Sequence, residues 1–469
     1  MKTIKKVSIY RLWLICCFII SAGYLPAQPY PMPVLPDTSH LGQYTSRTIN
    51  LLHNSTPEKK NDVRILVYGQ SISEQEWWLE VKRSVMERFP DANLIMENKA
   101  IGGFSTQYLF KTVEMDVSSF YPDLVLLHIY GGIKDYETVL STIRGRTTAE
   151  VAIMTDHYIG ENSWSDSMSC FLLPSLADKY KCDLINIRDP WKRYLRDNNL
   201  EPSALLTDGI HLNDFGNFLM AELVKPLFCF KSSFPDDPFH LLTIINTSDA
   251  LNFRADTLIL HLTGNRADVV YRTPNTGPHD TARVFLDGSA PSTFQGTYYR
   301  TRPYNSEGEV WPWDLPAMIR IDHTATWVSE EWSCVFTEAK PPYTDFGFSI
   351  SGSVTGNDGE GRASQDFVSP SGRVIIRKGD AEDGGDWHLN RSYKVLKTIV
   401  NSGDTVRWKT YSISTNIFNT SSTGDSAAEK CLILFQGVPN TDHILKITSS
   451  GGDLPAISML KVYRPYWNR

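Results

Sequence analysis

Between residues 61 and 230, short apolar runs alternate with helical stretches, and this alternation restricts the fold more than any other feature of the chain. The runs at 63–68 (VRILVY), 93–97, 123–130 (DLVLLHIY), 150–155 and 183–187 have strand length, and the first is β-branched-rich, as in strands covered on both faces. Between them, 73–89 and 106–120 carry helical spacing, with Trp78, Val81 and Val85 expected on one side of the first helix. Residues 44–53 are expected to form a short helix whose Ile49, Leu51 and Leu52 pack on the domain downstream. Repeated strand–helix units imply an α/β domain over 61–231, with a parallel sheet and function at the C-terminal ends of its strands. A last helix should follow Asn213, a good N-cap, with Asp214 at the positive end of its dipole and Pro226 closing it. Phe215, Leu219 and Leu223, with Phe218 beside them, give that helix an apolar face to anchor on the core.

Beyond Phe230 the character changes. Strand-like segments at 257–263, 268–272, 282–286, 317–321, 373–377, 430–436 and 443–448 are separated by turn signals such as Gly264-Asn265, Asp287-Gly288 and Gly356-Asn357-Asp358-Gly359. We expect an all-β, sandwich-like region over 237–469, either one domain with an inserted subsheet or two domains, with 230–236 linking it to the first domain. Trp311, Trp313, Trp327, Trp332, Trp387 and Trp408 are expected mostly in its core, because aromatics dominate burial. Some could instead be sugar-stacking platforms, which makes the region a candidate carbohydrate-binding one. Residues 357–361 read as a plain turn rather than a calcium site.

Lys2, Lys5, Lys6 and Arg11 precede the apolar run 12–20, and Ser21, Ala22 and Gly23 come after it, as in an export signal cleaved after Gly23 or Ala27. That run is too short to be a good membrane span, and no later segment approaches one. The expectation is a signal peptide over 1–27, then a Pro-rich linker and lead-in over 28–60, and a mature protein exported to the periplasm or the extracellular space. A net charge of -7, with no dense Lys/Arg run beyond the N-terminus, argues against nucleic acid as a partner. Of 7 cysteines, Cys16 and Cys17 leave with the signal; Cys170, Cys182, Cys229, Cys334 and Cys431 are too few and odd in number for a disulfide framework. Cys170 and Cys182 have the option of pairing, but buried free thiols are the expected state. No Cys/His spacing resembles a zinc site.

The chemistry-bearing residues lie at predicted strand ends. Asp208 and His211 stand three apart in a Gly-containing turn before the last helix. A carboxylate that close can accept the Nδ1 proton of the imidazole and leave Nε2 free as a base. Ser71, in Tyr68-Gly69-Gln70-Ser71, comes just after the first strand and opens a helix, so its hydroxyl and backbone N–H sit where anionic oxygen is favoured. The second strand runs into Asn98-Lys99-Ala100-Ile101-Gly102-Gly103, whose glycines let backbone N–H groups approach a ligand. His157 and Arg188 lie just past the fourth and fifth strands and are candidates for substrate contact, with salt-bridged loop roles the alternative.

Together these stretches resemble the SGNH, or GDSL-type, hydrolase family over roughly 61–230. Gly69-Gln70-Ser71 stands where the family has Gly-Asp-Ser, Asn98 to Gly103 matches its Asn-x-x-x-x-Gly, and Asp208 and His211 match its Asp-x-x-His. The Gln70 form looks like the carbohydrate O-acetylesterases of this fold. The resemblance implies a flavodoxin-like three-layer domain, Ser71 as nucleophile, His211 as general base and acid, Asp208 as its orienting partner, and an oxyanion hole from the N–H groups of Ser71 and Gly103. It implies no metal and no cofactor. The expected activity is removal of an acyl group, acetyl above all, from a carbohydrate ester; the rivals are an esterase or lipase on non-sugar esters and a catalytically weakened glycan-binding relative. Oligomeric state is left open. One departure stands out: the third block's Asn, an oxyanion donor, would fall at Gly132 in Tyr130-Gly131-Gly132-Ile133-Lys134. Lys134 is a candidate stand-in, but water or a substrate hydroxyl in the vacant space is the expected arrangement, because a lysine would have to shed hydration to turn inward.

Overall fold

The computed structural model describes residues 30–247, 253–254, 256–272, 281–305, 316–419, 429–450, 454 and 457–467; the expected leader at 1–27 and both Trp311 and Trp313 lie outside the described residues. Strands β1 (Asp62–Gly69), β2 (Asn93–Asn98), β3 (Leu124–His128), β4 (Glu150–Met154) and β5 (Asp183–Ile185) form a parallel sheet in the order β2-β1-β3-β4-β5. Their alternation divides the core: Val63, Ile65 and Val67 of β1 join an apolar cluster on one face, and Leu66 and Tyr68 join another on the opposite face. The strand order reverses at β1, which opens a crevice beyond the C-terminal ends of β1 and β3. Gly69 pairs in register with His128 at that end, and a Cβ on Gly69 would overlap the His128 carbonyl oxygen. The chain can leave β1 this close to β3 because residue 69 has no side chain.

The first expected helix divides into a turn at Ser71–Glu74 and the helix Trp77–Arg88. Trp77, Val81 and Val85 make its buried face, and Trp78 is only partly buried. Trp77 lies on the four-residue row of the two valines, and its Nε1 donates to Ile72 O at 2.7 Å, so it takes the inward position expected of Trp78. The second helix passes from α at Thr106–Val113 to π at Glu114–Ser118. The lead-in is docked: Glu150 accepts from the backbone N–H groups of Arg47 (3.0 Å) and Thr48 (2.8 Å) at the start of the helix Ser46–His53. Asp183 likewise accepts from Gly42 and Tyr44, each at 3.1 Å, and the Tyr30 ring stacks on Phe215.

The C-terminal region is built of antiparallel sheets, and a six-stranded sheet is inserted in sequence between strands of a seven-stranded one. Each has its own apolar cluster. Trp327, Trp332, Trp387 and Trp408 are buried, as expected. Three expectations are corrected. Gly264-Asn265 is no turn but the middle of the strand Thr257–Arg272, because Gly264 accommodates the close Tyr463 carbonyl and Asn265 is engaged elsewhere. Residues 430–436 and 443–448 belong to one strand, Glu429–Ser449, interrupted by bulges. Residues 357–361 lie in the strand Gly356–Arg362, and the Asp358 carboxylate accepts from Ser371 N (2.9 Å) and Oγ (2.7 Å).

The two regions are joined by buried polar contacts rather than held apart by a loose link. Tyr121 donates to Asn265 Oδ1 (2.7 Å), Asn265 Nδ2 to Arg146 O (2.8 Å), and Gln436 Nε2 to Ser118 O (2.9 Å). Arg302 reaches Asp116 (2.8 Å) and Lys99 O (2.6 Å). Ile319 and Ala381 of the β region complete an apolar cluster of the α/β sheet. Residues 230–236 are themselves docked: the Phe230 ring stacks on His53, and Lys231 Nζ donates to Thr38 O (2.6 Å) and Leu41 O (2.5 Å). Asn265→Ala leaves the Tyr121 hydroxyl and the Arg146 carbonyl without these partners and should cost about 1–3 kcal/mol. Calorimetry should show one transition shifted downward as a whole; a split into two would mean that the regions unfold independently.

Candidate active site

Ser71 is the first residue of the turn after β1, where a helical N–H has no intrahelical acceptor. Three contacts set that turn. Ser73 Oγ donates to His128 O (3.1 Å), Asn98 Nδ2 donates to Ser73 O (2.6 Å), and Gln75 exchanges two bonds with the backbone of Leu212 (2.9 and 3.0 Å). Asn217 Oδ1 accepts from Trp77 N at 3.1 Å, so the serine turn and the last helix, Asp214–Val224, are clamped directly. Asn213 caps that helix by accepting from Gly216 N at 3.0 Å. Gln75 and Asn217 were not among the residues expected at the site; their only signal in the sequence is proximity to Ser71 and His211.

Across this clamp His211 Nε2 lies 3.0 Å from Ser71 Oγ, and His211 Nδ1 lies 2.7 Å from Asp208 Oδ2. The Asp208 carboxyl is held well below the usual carboxylate range by the backbone N–H of His211, then by the His211 ring and the N–H of Ile210. It is therefore an acceptor only, which assigns the imidazole proton to Nδ1 and leaves the Nε2 lone pair facing the serine hydroxyl. Both side chains of the pair are well exposed, at 37% for His211 and 56% for Asp208, so the site opens on a surface rather than into a closed cavity.

Gly103 sits in the turn Ile101-Gly102-Gly103-Phe104, closed by Phe104 N donating to Ile101 O at 3.0 Å. Its φ of +74° at the third position is the signature of a type II turn and requires glycine. Gly102 N donates to Glu74 Oε1 (2.6 Å) and Ile101 N to Gly69 O (3.0 Å), which bring this turn beside the serine turn. Thr106 N bonds Tyr130 O (3.0 Å) and links it onward to the loop after β3. Gln70 is half-buried next to Ser71, and Lys134 is exposed. Gly132 precedes the helix Ile133–Arg146 with φ -63° and ψ 139°, and a Cβ placed there would meet nothing within 4 Å.

His157 and Arg188, expected as substrate contacts, are buried beneath the site instead. His157 Nε2 donates to Ile210 O (2.8 Å), inside the Asp208–His211 turn, and Arg188 Nη1 donates to His157 O (3.1 Å) while its Nε pairs with Asp166 (2.7 Å). The strand ends do reach the crevice, but the short connections after β4 and β5 fold these side chains under the histidine turn.

No family profile matches the sequence, and no curated protein does. Solved structures with a similar course include a catalytic mutant of Axe2, an acetylxylan esterase from Geobacillus stearothermophilus, 19% identical over 36% of this chain and 94% of that one, with a TM-score of 0.32. A two-domain esterase, CEX, active on acetylated mannans, is 13% identical over 90% of this chain and 96% of its own, with a TM-score of 0.35. LAE5, an alpha/beta hydrolase from the metagenome of Lake Arreo, Spain, is 19% identical over 36% of this chain and 97% of its own, with a TM-score of 0.31.

Burial, then the nearby His128, push His157 down from 6.5 to about 4. Between those values the unfolded chain binds a proton that the folded chain does not. This contribution to stability is therefore complete above about pH 6.5 and is lost as pH falls toward 4, amounting to up to about 3 kcal/mol. His157→Gln keeps a donor for Ile210 O without a titrating ring. Its melting temperature should fall less steeply than that of the wild type across this interval, as followed by circular dichroism.

Proposed function

We propose that the protein is an exported serine esterase that removes acetyl or another small acyl group from a carbohydrate. The observation that carries the reading is the aligned set Ser71 Oγ, His211 Nε2, His211 Nδ1 and Asp208, with both hydrogen bonds at 3.0 Å or shorter. In the proposed cycle His211 Nε2 takes the Ser71 proton as Oγ attacks the ester carbonyl carbon. The tetrahedral oxyanion is held by the N–H groups of Ser71 and Gly103. His211 then gives the proton to the departing sugar oxygen, leaving an acyl group on Ser71. Water, deprotonated by the same nitrogen, attacks that acyl group; the bond to Ser71 Oγ breaks as Nε2 returns the proton to Oγ, and the carboxylic acid is released. Asp208 keeps the proton on Nδ1 and stabilises the imidazolium formed in each half.

The sugar half of the proposal rests on three features: the Gln70 form of the first block, the export-type N-terminus, and an open site. Tyr130, just past the strand neighbour of Gly69, is 44% exposed and its ring packs on Trp164 at 4.5 Å, offering an aromatic surface suited to a sugar face. A chain of sugars carrying acyl groups can lie across such a surface, whereas a lipid tail would call for a deep apolar pocket.

Ser71→Ala and His211→Ala should each remove nearly all turnover of an aryl acetate and of acetylated oligosaccharide, and the double variant should lose little more, because the residues act as a unit. A fluorophosphonate probe should label the wild type and not Ser71→Ala; a protein that only binds glycan would not be labelled. Asp208→Asn should lower kcat by about 10⁴-fold with the fold intact, through the wrong imidazole tautomer.

The vacant third-block position gives a separate test. Gly132→Asn enters open space at φ -63°, a conformation open to any residue, so its melting temperature should match the wild type. If a side-chain donor is what the oxyanion lacks, kcat should rise, with about 10²–10³-fold as the ceiling for one such donor. Lys134→Ala should leave kcat within about twofold on our reading, in which the lysine stays hydrated rather than turning inward as the substitute donor.

A further inference from the structure

The turn that carries Gly103 is held from both sides, and one of its holders comes from the distant β region. In the type II turn Ile101–Phe104, the central peptide carries the Gly103 N–H; reversing that peptide, as a type I turn does, would aim the N–H the other way. Glu74 grips the turn through Gly102 N at 2.6 Å. On the other side Arg391 Nη2 donates to Gly103 O at 2.6 Å. Arg391 belongs to the helix Leu389–Leu396, part of the β region, and stands 288 residues after Gly103.

Arg391 is fixed by three contacts of its guanidinium and one of its backbone. It lies over the Tyr108 ring at 4.8 Å, its Nε faces Glu382 at 3.6 Å, its Nη1 lies 3.2 Å from His388 Nε2, and its backbone N–H is held by Asp380 at 3.2 Å. Arginine can only donate, so His388 Nε2 accepts and the ring proton sits on Nδ1, beside Ser392 Oγ at 3.2 Å. Burial first, then the Arg391 charge, push His388 down to about 3, so the ring stays a neutral acceptor. His388 is fully buried and packs edge-on against Phe104, the residue that closes the oxyanion turn. Lys111 Nζ secures the same segment by donating to Gly384 O (2.8 Å) and Gly385 O (2.5 Å).

We propose that Arg391 is a positioning residue for catalysis: by holding the Gly103–Phe104 peptide through Gly103 O, while Glu74 holds the Ile101–Gly102 peptide through Gly102 N, it fixes the two ends between which the Gly102–Gly103 peptide presents the Gly103 N–H to the oxyanion. The inference rests on the esterase reading and deepens it, because it makes the appended region part of the reaction apparatus rather than only a binding module. With the third-block side chain absent at Gly132, Gly103 is one of only two donors invoked, and its orientation weighs correspondingly more on the rate.

The test is a graded series in the full-length chain. Arg391→Met keeps an apolar side chain of similar length and removes every donor together with the cation over Tyr108; Arg391→Lys keeps the charge on a single donor nitrogen, which lacks the fork that serves Gly103 O and His388 Nε2 together. On an aryl acetate, kcat should fall several-fold for Arg391→Lys and about 10–100-fold for Arg391→Met, with KM within about twofold. Fluorophosphonate labelling of Ser71, which forms a tetrahedral adduct in the same hole, should slow in the same order, while each variant keeps a single cooperative melting transition above the assay temperature. A flat kcat series would overturn the proposal, as would a change confined to KM, which would make Arg391 a substrate contact. If Arg391→Met has no melting transition, a folded Arg391→Lys with wild-type kcat overturns it alone. A wild type without Ser71-dependent turnover would instead remove the esterase reading beneath it, and the Ser71→Ala control separates these two failures.

Discussion

The 3.0 Å contact between Ser71 Oγ and His211 Nε2 joins segments 140 residues apart, and most of the α/β architecture is organised so that this distance is held. A hydrogen bond weakens steeply with length and misalignment, so neither turn can be left to its own flexibility. The serine turn is set by the parallel pairing of β1 with β3 and by Gly69, which lets the chain turn away against the His128 carbonyl. The histidine turn is set by the capped helix behind it and by His157 below it. Gln75 and Asn217 then tie one turn to the other through backbone groups. Each of these side chains restricts a degree of freedom on which the distance between Ser71 and His211, and with it the proposed proton transfer, depends.

Electrostatics around the pair arise from the same placement. Asp208 is exposed, and its carboxyl is stabilised in the charged form first by the backbone N–H of His211, then by the His211 ring and the N–H of Ile210, rather than by a buried cation. Such a carboxylate remains ionised without the desolvation cost of burial, and it orients the imidazole from solvent. His157 shows the opposite solution: buried and neutral, it serves as a hydrogen-bond donor whose value depends on staying uncharged.

The polar junction between the regions extends this logic. Asn265, Gln436, Arg302 and Arg391 each reach backbone carbonyls or side chains of the α/β unit, and buried groups of that kind are costly to leave unpaired. Their geometry is therefore specific to one docking arrangement. A β region held in this way touches the turn that carries Gly103, which is the route by which we propose that it influences the site.

The α/β class, the positions of all its strands, the cap at Asn213 and the closeness of Asp208 to His211 were legible in the residues, because each depends on local periodicity or on groups a few positions apart. The burial of Trp327, Trp332, Trp387 and Trp408 was legible for a similar reason, since large aromatic surface is strongly driven inward. Trp77 rather than Trp78 takes the most buried position because it lies on the four-residue row of Val81 and Val85 and its Nε1 finds an acceptor in Ile72 O. Tertiary structure alone decided the rest. Gly264-Asn265 has the composition of a turn, but pairing of Gly264 with Thr441 and of the residues on either side of the dipeptide keeps it extended. His157 and Arg188 stand where the chain order puts them near the crevice, but which way a buried side chain points is set by partners such as Ile210 and Asp166, far away in sequence. Arg391 carries no local mark at all. Its contact with Gly103 O spans 288 residues, and a pattern of that span has no period or spacing from which it can be read.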